Sequence, residues 1–158
     1  MKIALIIIMA LHGIIHLLGF VKAFRPAMVS QLTKDIPRPA GILWLLASLV
    51  FSLAAVMVVY DYPEWWAAAL PAILLSQALI IHRWSDARFG TAANVIILLV
   101  SLQSLITWRF EGMVSAEAAD FTATPATGEV LESGTTAALP PAVRKWLERS
   151  GVMGKPVP

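Results

Sequence analysis

Two histidines stand four residues apart in the stretch LHGIIHLLGF, residues 11–20, where every neighbour is glycine or apolar. A helix through this stretch places His12, His16 and Gly19 within about 60° of arc on one face. An imidazole that lacks partners in hydrocarbon costs on the order of 2 kcal/mol or more, so we expect this face to point into protein rather than lipid. Histidines in such a place could bind a small molecule, carry a proton or coordinate a metal.

The composition is that of a membrane protein. Of the 158 residues, 58% are hydrophobic and only 14% are charged, whereas a soluble domain has about 25% charged residues. The absence of cysteine excludes disulfides, thiolate metal sites and cysteine nucleophiles. The net charge of +2 comes from scattered basic residues, so a nucleic-acid partner is not expected.

Four apolar runs have the length of about 20 residues that a bilayer requires. They are residues 3–21, 40–60, 65–82 and 89–108, and none contains Asp, Glu, Lys or Arg. The first run could also be a signal peptide, but it continues past a signal core and no small-x-small cleavage site follows. The sequence therefore predicts an all-α membrane protein in which residues 1–110 form a bundle of four transmembrane helices.

The C-terminal part differs in composition from these spans. Residues 111–138 are rich in Ala, Thr, Gly and Glu, with too little bulky apolar surface to order themselves, and they predict a flexible, disordered extracytoplasmic linker. Residues 139–158 predict a short helix, begun by Pro140 and Pro141 and ended near Gly151. Because about ten residues do not hold a helix alone in water, this helix needs a membrane surface, a partner or a further domain.

Three segments resemble a family of bacterial membrane proteins of unknown function: LHGIIHLLGFVKAF, WSDARFGTAANVIILL and LPPAVRKWLERSGVMGKP. In that family a four-span region precedes a soluble domain that opens with a Leu-Pro-Pro-x-Val-Arg helix and a Gly-x-x-Gly-x-Pro turn. The resemblance implies a bacterial plasma (inner) membrane location and a chain truncated at the start of the soluble domain. HGIIH in the first span is also similar to the His-Gly-x-x-Lys opening of DoxX-like four-helix proteins, with His16 at the position of their lysine.

The distribution of basic residues predicts the orientation. Lys2 and Arg109 flank the spans on one side of the membrane. The connections on the other side carry six basic residues: Lys22, Arg25, Lys34, Arg38, Arg83 and Arg88. The positive-inside rule then places both termini outside the cytoplasm.

Counting residues from the midpoint of each span predicts a polar layer. His12 lies at the midpoint of its span, and His16, Ser48, Gln77 and Asn94 lie within about 7 Å of the midplane on its cytoplasmic side, at about 1.5 Å per residue. We expect His16 to pair with Gln77 or Asn94, whereas His12 has no polar group counted at its depth. Two explanations remain open: the layer fixes the packing of the helices, or it forms a small polar site for a head group, a quinone-like molecule or a proton.

A metal or haem site is not expected. Two histidines at i and i+4 suit a metal, but zinc needs further ligands, and His82 is counted about 13 Å below the midplane. We assign His82 instead to a boundary cluster with Arg83, Asp86 and Arg88. In it Asp86 or Ser85 could cap the fourth helix.

No cofactor, metal ligand or catalytic residue is predicted, because no nucleophile–base pair, paired carboxylates or phosphate-binding glycine loop occurs, and the chain is not expected to be an enzyme. The first hypothesis is a membrane module that anchors or assembles an extracytoplasmic domain. The alternative is a lipid- or quinone-binding or DoxX-like redox-associated protein with an intrabundle site around His12 and His16. The partners expected are membrane lipid and either a second copy or another membrane protein.

Overall fold

The protein is all-helical in the computed structural model, which describes residues 2–29, 32–123, 130–132, 134 and 136–155. Within those residues there is no strand, and the predicted all-α class is confirmed. The described residues form six α-helices, with one 3₁₀ turn, Pro26–Met28, after the first. They are α1 (Lys2–Phe24), α2 (Arg38–Val59), α3 (Trp66–His82), α4 (Trp84–Ala87), α5 (Gly90–Ala123) and α6 (Pro141–Ser150).

Three of these helices, α1, α2 and α5, are long and apolar enough to span a membrane. They have 23, 22 and 34 residues, and each contains an apolar run without a charged side chain: residues 3–21, 39–59 and 90–108. The run predicted as the third span forms α3, which is apolar but has only 17 residues, and Pro71 lies inside it without ending it.

The linker predicted at residues 111–138 differs from the structure at its start. Helix α5 continues to Ala123, through the sequence EGMVSAEAADFTA. Ala, Glu and Met are strong helix formers, and a helix that already exists extends by one hydrogen bond per residue without a new nucleation cost. Low apolar content therefore did not mean lack of structure at residues 111–123. Residues 124–129 lie outside the described part of the chain.

The chain divides into two compact units, Met1–Phe110 and Glu111–Pro158. In the first, which we call the membrane unit, α1 packs on α2 and α2 on α3, around a core that includes Met9, Phe51 and Ile97. Gly19 makes the close approach of α1 to α2 possible, because a Cβ there would lie 2.3 Å from Cδ2 of Trp44.

The second unit contains α6. Pro141 occupies the first turn of this helix, and Gly151 follows its last residue with a φ of 70°, the left-handed conformation in which glycine avoids a Cβ clash. The backbone of Leu131 is joined to the residues after α6, since its N–H donates to Lys155 O at 3.3 Å and its carbonyl accepts from Gly154 N–H at 3.0 Å. The backbone of Leu131 thus has two partners within this unit.

Candidate functional site

The candidate site lies on the face of α1 that turns away from lipid. His12 and His16 are 3% and 1% exposed, although they lie in a helix whose other faces carry exposed aliphatic side chains such as Ile14 and Ile15. Gly13 and Gly19 are buried beside them, and Gly19 lets the ring of Trp44 approach the backbone. The apolar residues position the helix in hydrocarbon, and the glycines let α2 cover the histidine face.

His12 belongs to a buried hydrogen-bond network, which we call the Asn94 network. Nε2 of His12 donates to Oδ1 of Asn94 at 2.9 Å and lies 3.2 Å from Oγ of Ser76. Nδ2 of Asn94 donates to Oγ of Ser76 at 3.0 Å and to Oε1 of Gln77 at 3.0 Å. Nε2 of Gln77 donates to Oγ1 of Thr91 at 3.2 Å. Side chains from α1, α3 and α5 therefore satisfy one another inside the membrane unit.

The network differs from the predicted polar layer in its pairing. The partner of Asn94 on α1 is His12, not His16, so the expected pairing of His16 with Gln77 or Asn94 is wrong. Ser76, which is fully buried, supplies the polar group that depth counting did not find for His12. Its position next to Gln77 was a signal for this role.

Ser48 lies apart from the network. The residue is 4% exposed, and its backbone carbonyl accepts the hydroxyl hydrogen bond of Ser52 at 2.9 Å. In the described residues no hydrogen bond joins its side chain to His12, Gln77 or Asn94. Among the predicted layer residues, the structure thus brings together His12, Gln77 and Asn94.

His16 has a different environment from His12. Its Nδ1 lies 2.9 Å from the backbone carbonyl of His12, one turn earlier in the same helix. Its ring is surrounded by aromatic rings, with centroids 4.6 Å from His12, 5.0 Å from Trp44 and 5.7 Å from Phe51. Its Nε2 is buried and has no hydrogen-bond partner in the part of the chain that the structure describes. An unpartnered polar atom in such a site costs about 1–3 kcal/mol.

A pocket of about 330 Å³ adjoins His16. It is bounded by α1, the α1–α2 connection, α2, α3, α4 and the start of α5, and most of its lining is apolar. The lining includes His12, His16, Gly19, Trp44, Ile80 and Ala93. We call this space the His16 pocket; its volume is at the small end of the range for sites that hold small molecules, which is about 300–1,000 Å³.

Asp86 lines the same pocket and joins two connections of the membrane unit. Its Oδ1 accepts the hydroxyl of Thr33 at 2.7 Å, and its Oδ2 accepts the backbone N–H groups of Thr33 at 2.9 Å and Lys34 at 3.2 Å. The carboxylate therefore binds the α1–α2 connection, and this is the contact it makes instead of the expected helix cap. The hydrogen bond from the Thr33 hydroxyl is the main cause that lowers the pKa of Asp86, and the two backbone donors add to it.

The other members of the predicted boundary cluster have separate partners. Nδ1 of His82 donates to the carbonyl of Ala78 at 3.1 Å. Arg83 donates to the carbonyl of Asp35 at 2.8 Å, which also ties the α1–α2 connection to the end of α3. The guanidinium of Arg88 lies 5.1 Å from the centroid of the Phe89 ring. The cluster thus holds two connections together at one end of the membrane unit.

The groups at this site suit the binding of a small molecule. Among the described residues, no three His, Asp or Glu side chains lie close enough to hold a metal ion. The site offers one free imidazole nitrogen, an apolar space and a carboxylate at its edge.

No protein-family model, curated protein or solved structure matches this chain.

Proposed function

We propose that this protein is a four-span membrane protein that binds a small apolar molecule in the His16 pocket. The observation that carries the proposal is the buried, unpartnered Nε2 of His16 on a residue that lines a mostly apolar pocket. Ligand sites usually combine such an apolar lining with a few polar groups that fix orientation. A buried ionisable residue costs free energy within a membrane. Such residues are therefore rare there and mark functional sites.

The proposal treats α3 as the fourth span. Its 17 residues extend about 26 Å at about 1.5 Å per residue, close to the hydrocarbon thickness of about 30 Å. The aromatic rings of Trp66, at its start, and Trp108 lie with centroids 5.5 Å apart, and indoles favour the membrane–water interface. The hydrogen bonds of Ser76 and Gln77 to Asn94 on α5 favour a position beside a spanning helix.

The proposed orientation has both termini outside the cytoplasm of a bacterial plasma membrane. In support, the two basic connections lie at the same end of the membrane unit, joined through Asp86 to Thr33 and through Arg83 to Asp35. At the start of α1, Lys2 forms an ion pair of 2.7 Å with Asp61 of the α2–α3 connection. A reporter that is active only outside the cytoplasm should give signal when fused after Ala119 and none when fused after Lys34; the opposite pattern would refute this orientation.

The binding proposal is tested by mass spectrometry of small molecules extracted from protein purified in a mild detergent. Wild-type protein should carry an apolar molecule in near-stoichiometric amount. Ala93→Leu adds a side chain at the pocket lining and should reduce that molecule about tenfold or more. Ala92→Leu is the matched control, because Ala92 is the exposed neighbour on the same helix and should leave the content unchanged.

Two results would refute binding in the His16 pocket. One is an equal content of every extracted molecule in wild type and Ala93→Leu. The other is a wild-type extract that contains nothing beyond what Ala93→Leu also carries, which would assign all bound material to the detergent-exposed surface.

Helix α5 favours a second function, the anchoring of the segment after Phe110. Its 34 residues extend about 51 Å, well beyond the hydrocarbon thickness of about 30 Å, so the helix continues outside the membrane. The resemblance of residues 139–156 to proteins that continue into a soluble domain supports an anchoring role for the membrane unit. Protease added to the outer side of intact cells should remove an epitope placed after Ser150, and survival of that epitope would refute the anchor.

A further inference from the structure

The protonation of His16 follows from the partner of its Nδ1. That partner is the backbone carbonyl of His12 at 2.9 Å, and a carbonyl oxygen only accepts hydrogen bonds. Nδ1 therefore carries the hydrogen. In a neutral imidazole the other nitrogen then has none, so Nε2 of His16 is an acceptor with a free lone pair.

His12 has the opposite tautomer on the same face of α1. Its Nε2 lies 2.9 Å from Oδ1 of Asn94, which is also an acceptor, so Nε2 of His12 carries the hydrogen. Two histidines one turn apart thus differ in what they offer. The hydrogen-bearing Nε2 of His12 is used within the Asn94 network, whereas the bare Nε2 of His16 has no partner in the described residues.

We propose that the His16 pocket selects an apolar molecule that carries a hydroxyl group and donates its hydrogen to Nε2 of His16. This inference rests on the proposed binding function and names the chemical class of the ligand. Phenols, hydroquinones and long-chain alcohols share the required group, because each joins one hydroxyl donor to an apolar body.

The geometry disfavours the other common polar groups. A ligand carbonyl, such as that of an oxidised quinone, would meet the free lone pair of Nε2 with one of its own. To bind a carbonyl, Nε2 would have to carry the hydrogen. That tautomer loses the hydrogen bond between Nδ1 of His16 and the carbonyl of His12. An ammonium group would bring three donors and a charge to a mostly apolar space. The carboxylate at its edge, Asp86, already accepts hydrogen bonds from Thr33 and Lys34, so desolvation of the ammonium charge would oppose binding.

The lining also favours a ring next to the hydroxyl. Trp44 lines the pocket, and the centroid of its ring lies 5.0 Å from that of His16. Aromatic rings pack favourably on one another at centroid distances of about 4.5–7 Å. On this proposal the ring of a phenol-type ligand packs against Trp44 while its hydroxyl donates to Nε2 of His16.

The test compares two probes of nearly equal shape, 1-naphthol and 1-methoxynaphthalene, of which only the first has a hydroxyl donor. Affinities are measured for the full-length protein in detergent, with Ala93→Leu in the same detergent as the reference for partition into micelles. Wild type should bind 1-naphthol about tenfold more tightly than the ether. 1-Decanol, compared with decyl methyl ether, tests whether an aliphatic alcohol shows the same preference or the ring is required.

Variants assign the preference to His16. His16→Leu should bind the naphthol and the ether equally, because leucine has no acceptor. His82→Leu is the matched control, since His82 is exposed and lies outside the pocket lining, and it should keep the wild-type preference. Nitrogen-15 NMR of histidine-labelled protein adds a readout that does not depend on a variant: His16 should show a protonated Nδ1, and naphthol should shift its Nε2 resonance.

The failures of the two proposals are distinguishable. Equal, pocket-dependent binding of 1-naphthol and its ether by wild type would overturn the hydroxyl preference and leave the pocket as a binding site. A protonated Nε2 on His16 would overturn it as well. If neither the naphthalene probes nor the decyl probes bind wild type more than Ala93→Leu, the binding function itself is refuted.

Discussion

His12 and His16 lie one helical turn apart on the same face of α1, and both are almost fully buried. The region around His12 is a closed hydrogen-bond network in which Asn94 bonds to side chains of α1 and α3. The region around His16 is a mostly apolar pocket, and Nε2 of His16 has no partner among the described residues. The two histidines therefore differ in their effect on stability: His12 is hydrogen-bonded, whereas His16 carries the cost of an unpartnered nitrogen.

The difference separates polar groups that fix the packing of the helices from the one group that we propose binds a ligand. A saturated polar network stabilises one arrangement of helices, because any other arrangement leaves its members unpartnered in hydrocarbon. A single unsaturated group next to that network keeps a fixed position but retains its capacity to bind. On this view the Asn94 network holds α1 in place and thereby positions His16.

The largest effect expected on this comparison is that of Asn94→Leu. The substitution removes the shared partner of His12, Ser76 and Gln77 and leaves buried polar atoms unpartnered, which should lower the free energy of unfolding by about 3 kcal/mol. This loss is measured by unfolding the protein in detergent with a denaturing co-detergent. Val95→Leu, at the exposed neighbouring residue, is the control and should be near neutral; equal stability of the two variants would contradict the role assigned to the network.

A second prediction concerns the helix contact on which both regions depend. Gly19→Ala places a Cβ 2.3 Å from Cδ2 of Trp44, near the base of that side chain, so α1 and α2 must separate. We expect a loss of about 2 kcal/mol, after allowance for the better helix propensity of alanine. Gly13→Ala is the matched control, because its nearest neighbour, Ser48 O, lies at 3.3 Å. Thermal melting should separate the two variants, and a Gly13→Ala loss as large as that of Gly19→Ala would refute this contact.

The third prediction compares the histidines directly. His12→Leu strands Asn94 and should lower the free energy of unfolding by about 1 kcal/mol. His16→Leu removes an unpartnered nitrogen from an aromatic environment and should be neutral or slightly stabilising. The double variant His12→Leu with Asn94→Leu should lose less than the sum of the single losses, whereas His16→Leu with Asn94→Leu should be additive. If the double variants instead show coupling of Asn94 to His16 and none to His12, the assignment of His12 to the Asn94 network is wrong.

The smallest effect concerns Asp86 at the edge of the pocket, because the group is partly exposed. Its pKa is lowered in the folded protein, so its contribution to stability is fully present above the ordinary value of about 3.9. The contribution is lost as the pH falls through the lowered folded pKa. Hydrogen exchange of the Thr33 and Lys34 amides, corrected for intrinsic rate, should therefore accelerate in wild type below about pH 3.9. Asp86→Asn should show no such transition; one that persists in this variant would belong to another group.

Much of the fold could be predicted because it depends on local composition. The uncharged runs around His12, Trp44 and Ile97 predict helices in hydrocarbon, and the helical spacing of His12, His16 and Gly19 predicts their common buried face. Depth counting also placed Asn94 and Gln77 at similar levels, and these side chains do bond to each other. The apolar content of residues 111–123 was a poorer guide, since helix propensity and the preceding turns of α5 decided their structure.

By itself, then, the sequence determined an all-helical chain, membrane-length apolar helices and a histidine face that has to be buried, because each follows from periodicity and hydrocarbon solvation. Only the tertiary structure decided that Asn94 pairs with His12 rather than His16. A count of residues gives depth along the membrane normal, whereas a hydrogen bond depends on the rotation of each helix and on side-chain direction. The same rotation leaves Nε2 of His16 without a partner among the described residues and brings this residue to the lining of the pocket.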